Sequence, residues 1–268
     1  MFRRIINRLR YLVGRGASES EEKKGFDELI KWAEDNNIGE ERIPRDTEEL
    51  AGLTRLDLSF RRLQSLPDSI GELTQLTELD LRGNELAQLP ESIGNLTLLK
   101  RIDLKWNKLE ALPNSLKNLT RLSKLEFGYN KLTRLPEQTS SLLRLSTLDL
   151  SHNNLMSLPD FICNFSRLNN LHLAHNELTM LPAHIGYLSE LEILDVGSND
   201  LGSLPDSVAN LGKLTTLNLS GNQIPFLPKF IANLTHLCVL DVRNTRMKIP
   251  LALANRIESN AVMAGYFK

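Results

Sequence analysis

The sequence predicts an α/β repeat solenoid in which each unit adds one short strand to a parallel sheet, and three regularities carry that prediction. Leucines that are expected to open a strand recur every 23 residues, at Leu53, Leu76, Leu99, Leu122, Leu145, Leu168, Leu191, Leu214 and Leu237, giving nine units. Each unit carries an apolar pair two residues apart, most often L-x-L, whose period of two suits a strand with one face on a core, as at Leu79 and Leu81. An asparagine then recurs at one fixed place, and a Leu-Pro pair and an Ile or Leu close the unit, as at Asn84, Leu86, Leu89, Pro90, Ile93 and Leu96. No single unit can bury these leucines alone, so the units must stack in register and share one core.

Taken in order, residues 1–17 contain a helical pattern with Phe2, Ile5, Ile6, Leu9, Leu12 and Val13 on one arc. Arg3, Arg4, Asn7, Arg8, Arg10 and Tyr11 fill the other arc, and Gly14 supplies a stop. Such a basic amphipathic helix has three open readings: a membrane-surface or targeting segment, a segment docked on this protein or a partner, or disorder. Its arginines interrupt the apolar run, which argues against a cleaved signal peptide. Residues 18–52 are acidic, with Phe26, Leu29, Ile30 and Ala33 on one helical face and Trp32 beside them, and are expected to cap the first strand. The solenoid occupies 53–250. Pro250 stands one residue early in the last unit, so 251–268 is expected to form a C-terminal cap with a small helix over Leu251 to Ser259.

Asn84, Asn107, Asn130, Asn153, Asn176, Asn199 and Asn222 read as a structural ladder, because an amide can both donate and accept toward the turns of its own and neighbouring coils. Arg61 and Thr245 replace it in the end units. With these positions in place the chain resembles the leucine-rich-repeat superfamily, in the 23-residue class ending L-P-x-x-I-x-x-L that occurs in bacterial proteins and Ras-group scaffolds. The resemblance covers Leu53 to about Pro250. It implies a horseshoe with a parallel β-sheet on the concave face, irregular or short helical coils on the convex face, helical caps at both ends, and protein recognition on the concave side. The even spacing without insertions resembles bacterial members most.

Composition narrows the function classes. Of the 268 residues, 41% are hydrophobic and 24% charged, and the net charge is -1, so nucleic acid is not an expected partner. No apolar run is long enough to span a membrane. The two cysteines, Cys163 and Cys238, sit at unmatched repeat positions, which favours a reducing compartment, or at least a disulfide-free fold, and the expected location is cytoplasmic. No nucleophile elbow, phosphate-cradling loop or HExxH occurs, so neither an enzyme nor a cofactor is expected.

Function must therefore lie on outward strand positions. One column runs Asp57, Asp80, Asp103, Glu126, Asp149, His172, Asp195, Asn218 and Asp241, flanked by Arg55, Arg101 and Lys124 on one side and Arg82 and Lys105 on the other. It reads either as a solvated charge ladder or as an electrostatic recognition surface. A second column, just before the ladder asparagine, runs Phe60, Gly83, Trp106, Tyr129, His152, His175, Ser198 and Gly221. Trp106 to His175 is expected to form a contiguous exposed ring track, the kind of surface from which interface hot spots are built. The expected partner-binding residues are Arg82, Asp103, Lys105, Trp106, Glu126, Tyr129, Asp149, His152, His172 and His175. A metal site among the three histidines is disfavoured by the open, shallow face. The expected function is a monomeric module that binds a protein on its concave face. Its alternatives are a secreted bacterial effector that binds a host protein, and a scaffold held at a membrane surface through Phe2, Arg3, Arg4, Ile5, Ile6, Arg8 and Leu9.

Overall fold

The computed structural model describes residues 19–245 and 248, so the helix expected at 1–17 and the cap expected at 251–268 lie outside the described residues. Among the described residues nine three-residue strands, β1 (Arg55–Asp57), β2 (Glu78–Asp80), β3 (Arg101–Asp103), β4 (Lys124–Glu126), β5 (Thr147–Asp149), β6 (Asn170–His172), β7 (Ile193–Asp195), β8 (Thr216–Asn218) and β9 (Val239–Asp241), form one sheet in chain order. All pairings are parallel and shift by one repeat, as in Leu56 opposite Leu79 and Leu79 opposite Ile102. Each strand starts two residues after the leucine expected to open it. The N–H of Leu76, for example, closes the preceding turn on the Leu73 carbonyl at 3.0 Å, and pairing with the neighbouring coil begins only when the Thr77 N–H reaches Thr54 at 2.8 Å.

The convex side is a stack of 3-10 turns, beginning with Asp68–Glu72, Glu91–Asn95 and Asn114–Asn118. Proline precedes nearly every turn and sits extended, with φ of -68° at Pro90, because its ring fixes that angle and its missing N–H is not needed there. Ile70, Ile93, Leu116, Ile162, Ile185, Val208 and Ile231 point from these turns into the shared core, where they meet the strand leucines. The coils approach so closely at Gly186 that an added Cβ would lie 2.0 Å from the Ser207 carbonyl oxygen.

At the N-terminal end, α1 (Glu19–Asp35) buries Phe26, Leu29 and Ala33, with Ile30 and Trp32 half-buried against the core. It packs on the first convex turn and on α2 (Thr47–Ala51), which Asp46 caps by accepting the N–H groups of Glu48 and Glu49. Within the segment 18–52, the connection between the two helices makes the contact with β1. There Arg42 donates to the Asp57 carbonyl at 2.6 Å and pairs with its carboxylate at 3.1 Å. Among the described residues, no helix is long and apolar enough to cross a membrane.

Candidate protein-binding face

Each strand turns its middle residue into the core and its first and third outward, as Leu79 lies buried between Glu78 and Asp80. The chain then has to bend away, and the third strand residue organises the bend. The Oδ1 of Asp80 accepts the Arg82 N–H at 3.1 Å, Asp103 accepts from Lys105 at 3.1 Å, Asp149 from Ser151 at 3.0 Å and Asp195 from Gly197 at 3.1 Å. Asn218 does the same toward Ser220 at 2.9 Å, so the turn requires the oxygen and not the charge. The acidic column is thus first a row of turn caps. A sequence signal for this was present in the Asp-x-Ser spacing of Asp57 with Ser59 and Asp149 with Ser151.

Three residues past each strand the backbone enters the left-handed region. Phe60, Trp106, Tyr129, His152, His175 and Ser198 have φ between 51° and 56°, and Gly83, Gly221 and Asn244 occupy the same place in other coils. Holding a non-glycine residue there costs about 1–2 kcal/mol. Its N–H nevertheless continues the ladder, with Trp106 donating to Gly128 at 3.0 Å and His152 to Ala174 at 2.8 Å. The geometry lines the rings up. Trp106 and Tyr129 lie 5.5 Å apart and tilted, Tyr129 stacks on His152 at 3.8 Å, and His152 on His175 at 4.0 Å.

The track is longer than the sequence suggested. Phe60 folds over Gly83, where a Cβ would lie 2.3 Å from its ring, and so reaches to 6.3 Å from Trp106 with the Arg82 guanidinium 6.0 Å from its own centroid. Phe60 is 63% exposed, Trp106 46% and Tyr129 42%, so these rings stand in solvent. Burial, and then the neighbouring His175, lowers the pKa of His152 below its ordinary 6.5, against the pull of Asp149 and Asp195.

Beside the track lies a charge cluster. Glu126 pairs with Arg101 at 2.6 Å and with Lys105 at 2.7 Å, and Asp103 lies 3.5 Å from Arg101 and 3.8 Å from Lys105. Asp103 is only 1% exposed, and its Oδ2 accepts no hydrogen bond. Burial pushes its carboxyl above the usual carboxylate range; the Lys105 N–H and charge oppose this, while Glu126 and Asp80 reinforce it. Burial works against the Lys105 ammonium too, but the hydrogen bond to Glu126 and the charges of Asp103 and Glu126 hold it above the ordinary lysine value. Arg82 pairs with Asp80 at 3.2 Å and Arg55 with Glu78 at 3.0 Å.

The structure therefore gathers the expected residues into two groups. Trp106, Tyr129, His152 and His175 make the track, joined by Phe60, and Asp103, Lys105 and Glu126 make the cluster. Arg82 sits between them at the Phe60 end. Asp149 and His172 lie on neighbouring strands, one column away from the rings. Among the described residues, no three His, Cys, Asp or Glu side chains are grouped so as to hold a metal ion.

The asparagines lie below this face, each 4–8% exposed. Asn153 donates to the Leu150 carbonyl of its own coil at 3.1 Å and to the Phe127 carbonyl of the preceding coil at 3.0 Å. Its Oδ1 accepts the Leu132 N–H at 2.9 Å. The same three bonds recur from Asn84 to Asn222.

Comparison with known proteins returns the same architecture. The family described as a leucine-rich repeat region matches residues 34–130 and 162–255, and a single leucine-rich repeat matches 144–165. No curated protein matches the sequence. Among solved structures, the chain is similar to an internalin from Listeria monocytogenes, with a TM-score of 0.73 and 24% identity over 81% of this chain and 62% of that one. It is also similar to the plant peptide hormone receptor RGFR1 in complex with RGF2, with a TM-score of 0.66 and 29% identity over 78% of this chain and 34% of that one. A leucine-rich-repeat protein from Leptospira interrogans gives a TM-score of 0.51 and 25% identity over 84% of this chain and 81% of that one. The chain thus spans less than two thirds of the internalin and about a third of the receptor.

Proposed function

The chain belongs to the leucine-rich-repeat family, and from that premise we propose that it is a protein-interaction module whose partner docks on the concave face along the ring track. The observation that carries this reading is the left-handed backbone under exposed rings. Glycine or asparagine would fill that conformation at lower cost, as Gly83, Gly221 and Asn244 do. Ring pairs contribute about 0.5–1.5 kcal/mol each, which only offsets the backbone cost of about 1–2 kcal/mol per residue. Stability alone therefore gives no reason to place four consecutive rings there, whereas large aromatics beside arginine and lysine are what interface hot spots contain. The plant receptor to which the chain is similar is seen in complex with RGF2, and that supports a protein or peptide partner.

Within this reading, Trp106 and Tyr129 anchor the partner, His152 and His175 extend the contact, and Arg82, Asp103, Lys105, Glu126, Asp149 and His172 set polarity along it. The decisive measurement is affinity capture with the wild-type chain beside a Trp106→Ala/Tyr129→Ala variant, after circular dichroism shows both folded. A partner lost only from the variant is the expected result; a partner held equally by both would overturn concave-face docking. The proposed location is the cytoplasm, in keeping with two free thiols, one of them exposed at Cys238. A translocation reporter fused to residues 1–50 separates that location from export into a host cell.

A further inference from the structure

Charge is distributed unevenly along the solenoid. Residues 53–144 carry fourteen bases against eleven acids, whereas 145–212 carry eight acids against one base, Arg167. On the concave face the change falls between β4 and β5. Up to Glu126 the outward carboxylates have cationic partners; among the described residues, Asp149 and Asp195 make no ion pair.

The surface around these two carboxylates is low and open. Its floor is the small column Ser151, Ala174 and Gly197, and one wall is formed by the rings of His152 and His175. Each carboxylate is held by its Oδ1, Asp149 on the Ser151 N–H and hydroxyl and Asp195 on the Gly197 N–H. The ring stack ends at His175, because the column continues with Ser198 and Gly221 and offers no further ring to cover its far face. Gly197 joins the two features: its N–H binds Asp195 and its carbonyl accepts the His175 N–H at 2.8 Å.

We propose that strands β5 to β7 form a docking site for an extended basic segment of a partner protein, with Arg or Lys side chains placed opposite Asp149 and Asp195. The occupant follows from charge complementarity: an acidic segment would meet two carboxylates that make no ion pair, with His172 between them and the charge of Lys105 reaching Asp149 from the neighbouring cluster. A guanidinium suits the site better than an ammonium, because it lies flat on an aromatic face while its N–H groups fork onto a carboxylate. The two carboxylates stand two strands apart, about 9.6 Å. Positions i and i+3 of a polyproline II segment lie on one side at about 9.3 Å, so a basic segment with cations three residues apart spans them.

This inference rests on the concave face being the docking face and adds the chemistry of what docks. The test uses the full chain and a fluorescein-labelled, proline-rich nonapeptide carrying two arginines three residues apart, with the glutamate version as its counterpart. Asp149→Asn and Asp195→Asn remove charge but keep the turn cap, as Asn218 shows an amide can do. Asp206→Asn removes the same charge from a convex turn. In anisotropy titrations the arginine peptide is expected to bind wild type and Asp206→Asn alike, and to weaken about fivefold to tenfold with each concave substitution. Equal binding of the glutamate peptide, equal loss in Asp206→Asn, or no arginine binding at all would each overturn the proposal. If partner capture still depends on Trp106 and Tyr129 in that case, only the basic chemistry falls; if capture too is indifferent to the rings, the docking face itself is wrong.

Discussion

At the residue scale, Asp103 shows how one side chain can serve a turn and still be electrostatically out of place. Its Oδ1 caps the bend by accepting the Lys105 N–H, while its Oδ2 is buried without a hydrogen bond, and the charges of Asp80 and Glu126 raise its pKa further. A carboxyl whose pKa is higher folded than unfolded binds its proton more tightly in the folded chain. Its contribution to stability is therefore best at low pH and declines as pH rises from its ordinary 3.8 through the folded value. Asp103→Asn keeps the cap and removes that decline, so urea midpoints should shift in favour of the variant as pH goes from acid to neutral. A difference between variant and wild type that stays constant across that range would contradict this assignment. The turn-capping role could have been read from the Asp-x-Ser spacing, but the burial of Asp103 could not, because it depends on how Arg101, Lys105 and Glu126 close over it.

At the scale of the element, the 23-residue period was enough to give nine strands and their parallel order, because a single spacing enforces every pairing, while the convex stack of turns was implied by the family resemblance. Where each strand begins was not legible, since Leu76 finishes a turn rather than starting a strand. The rings were visible as a column, but the spacing alone does not say why Gly83 and Gly221 alternate with aromatics there. The alternation is the mark of a left-handed position, and the reach of Phe60 across Gly83 follows from that missing Cβ. The amide of Asn153 makes three buried bonds, one within its own coil and two that tie it to the preceding one. Asn153→Ala leaves a buried N–H and two carbonyls less satisfied, a loss of about 2–4 kcal/mol. The neighbouring exposed Asn154→Ala should stay within about 0.5 kcal/mol in the same urea titration. Comparable losses in the two variants would mean that the ladder carries no special load.

At the scale of the whole molecule, the chain is held together by contacts between successive coils, so opening should begin at the ends. The two thiols report on this from different places. Cys238 is exposed in the last described coil, whereas Cys163 is buried on a central convex turn, and burial, with the charge of Asp160, pushes its thiol up to about 11. A thiol reagent followed by mass spectrometry should add one label to the native protein, at Cys238. The second, at Cys163, should appear only at denaturant concentrations that open the middle of the stack. Simultaneous labelling at low denaturant would show that the coils do not protect one another.

The asparagine bonds also give the stack a direction. Each amide serves the coil before its own: Asn84 accepts the Leu63 N–H, Asn107 accepts that of Leu86, and the pattern repeats to Asn222. For this donor each of these coils depends on its successor, whereas other N–H groups, such as that of Thr77 on Thr54, are met by the coil before. During synthesis each coil from that of Leu63 to that of Leu201 should keep this donor open until the next asparagine leaves the ribosome, which favours assembly in chain order. A chain cut at a repeat boundary within that run is left with one unmet donor in its last coil.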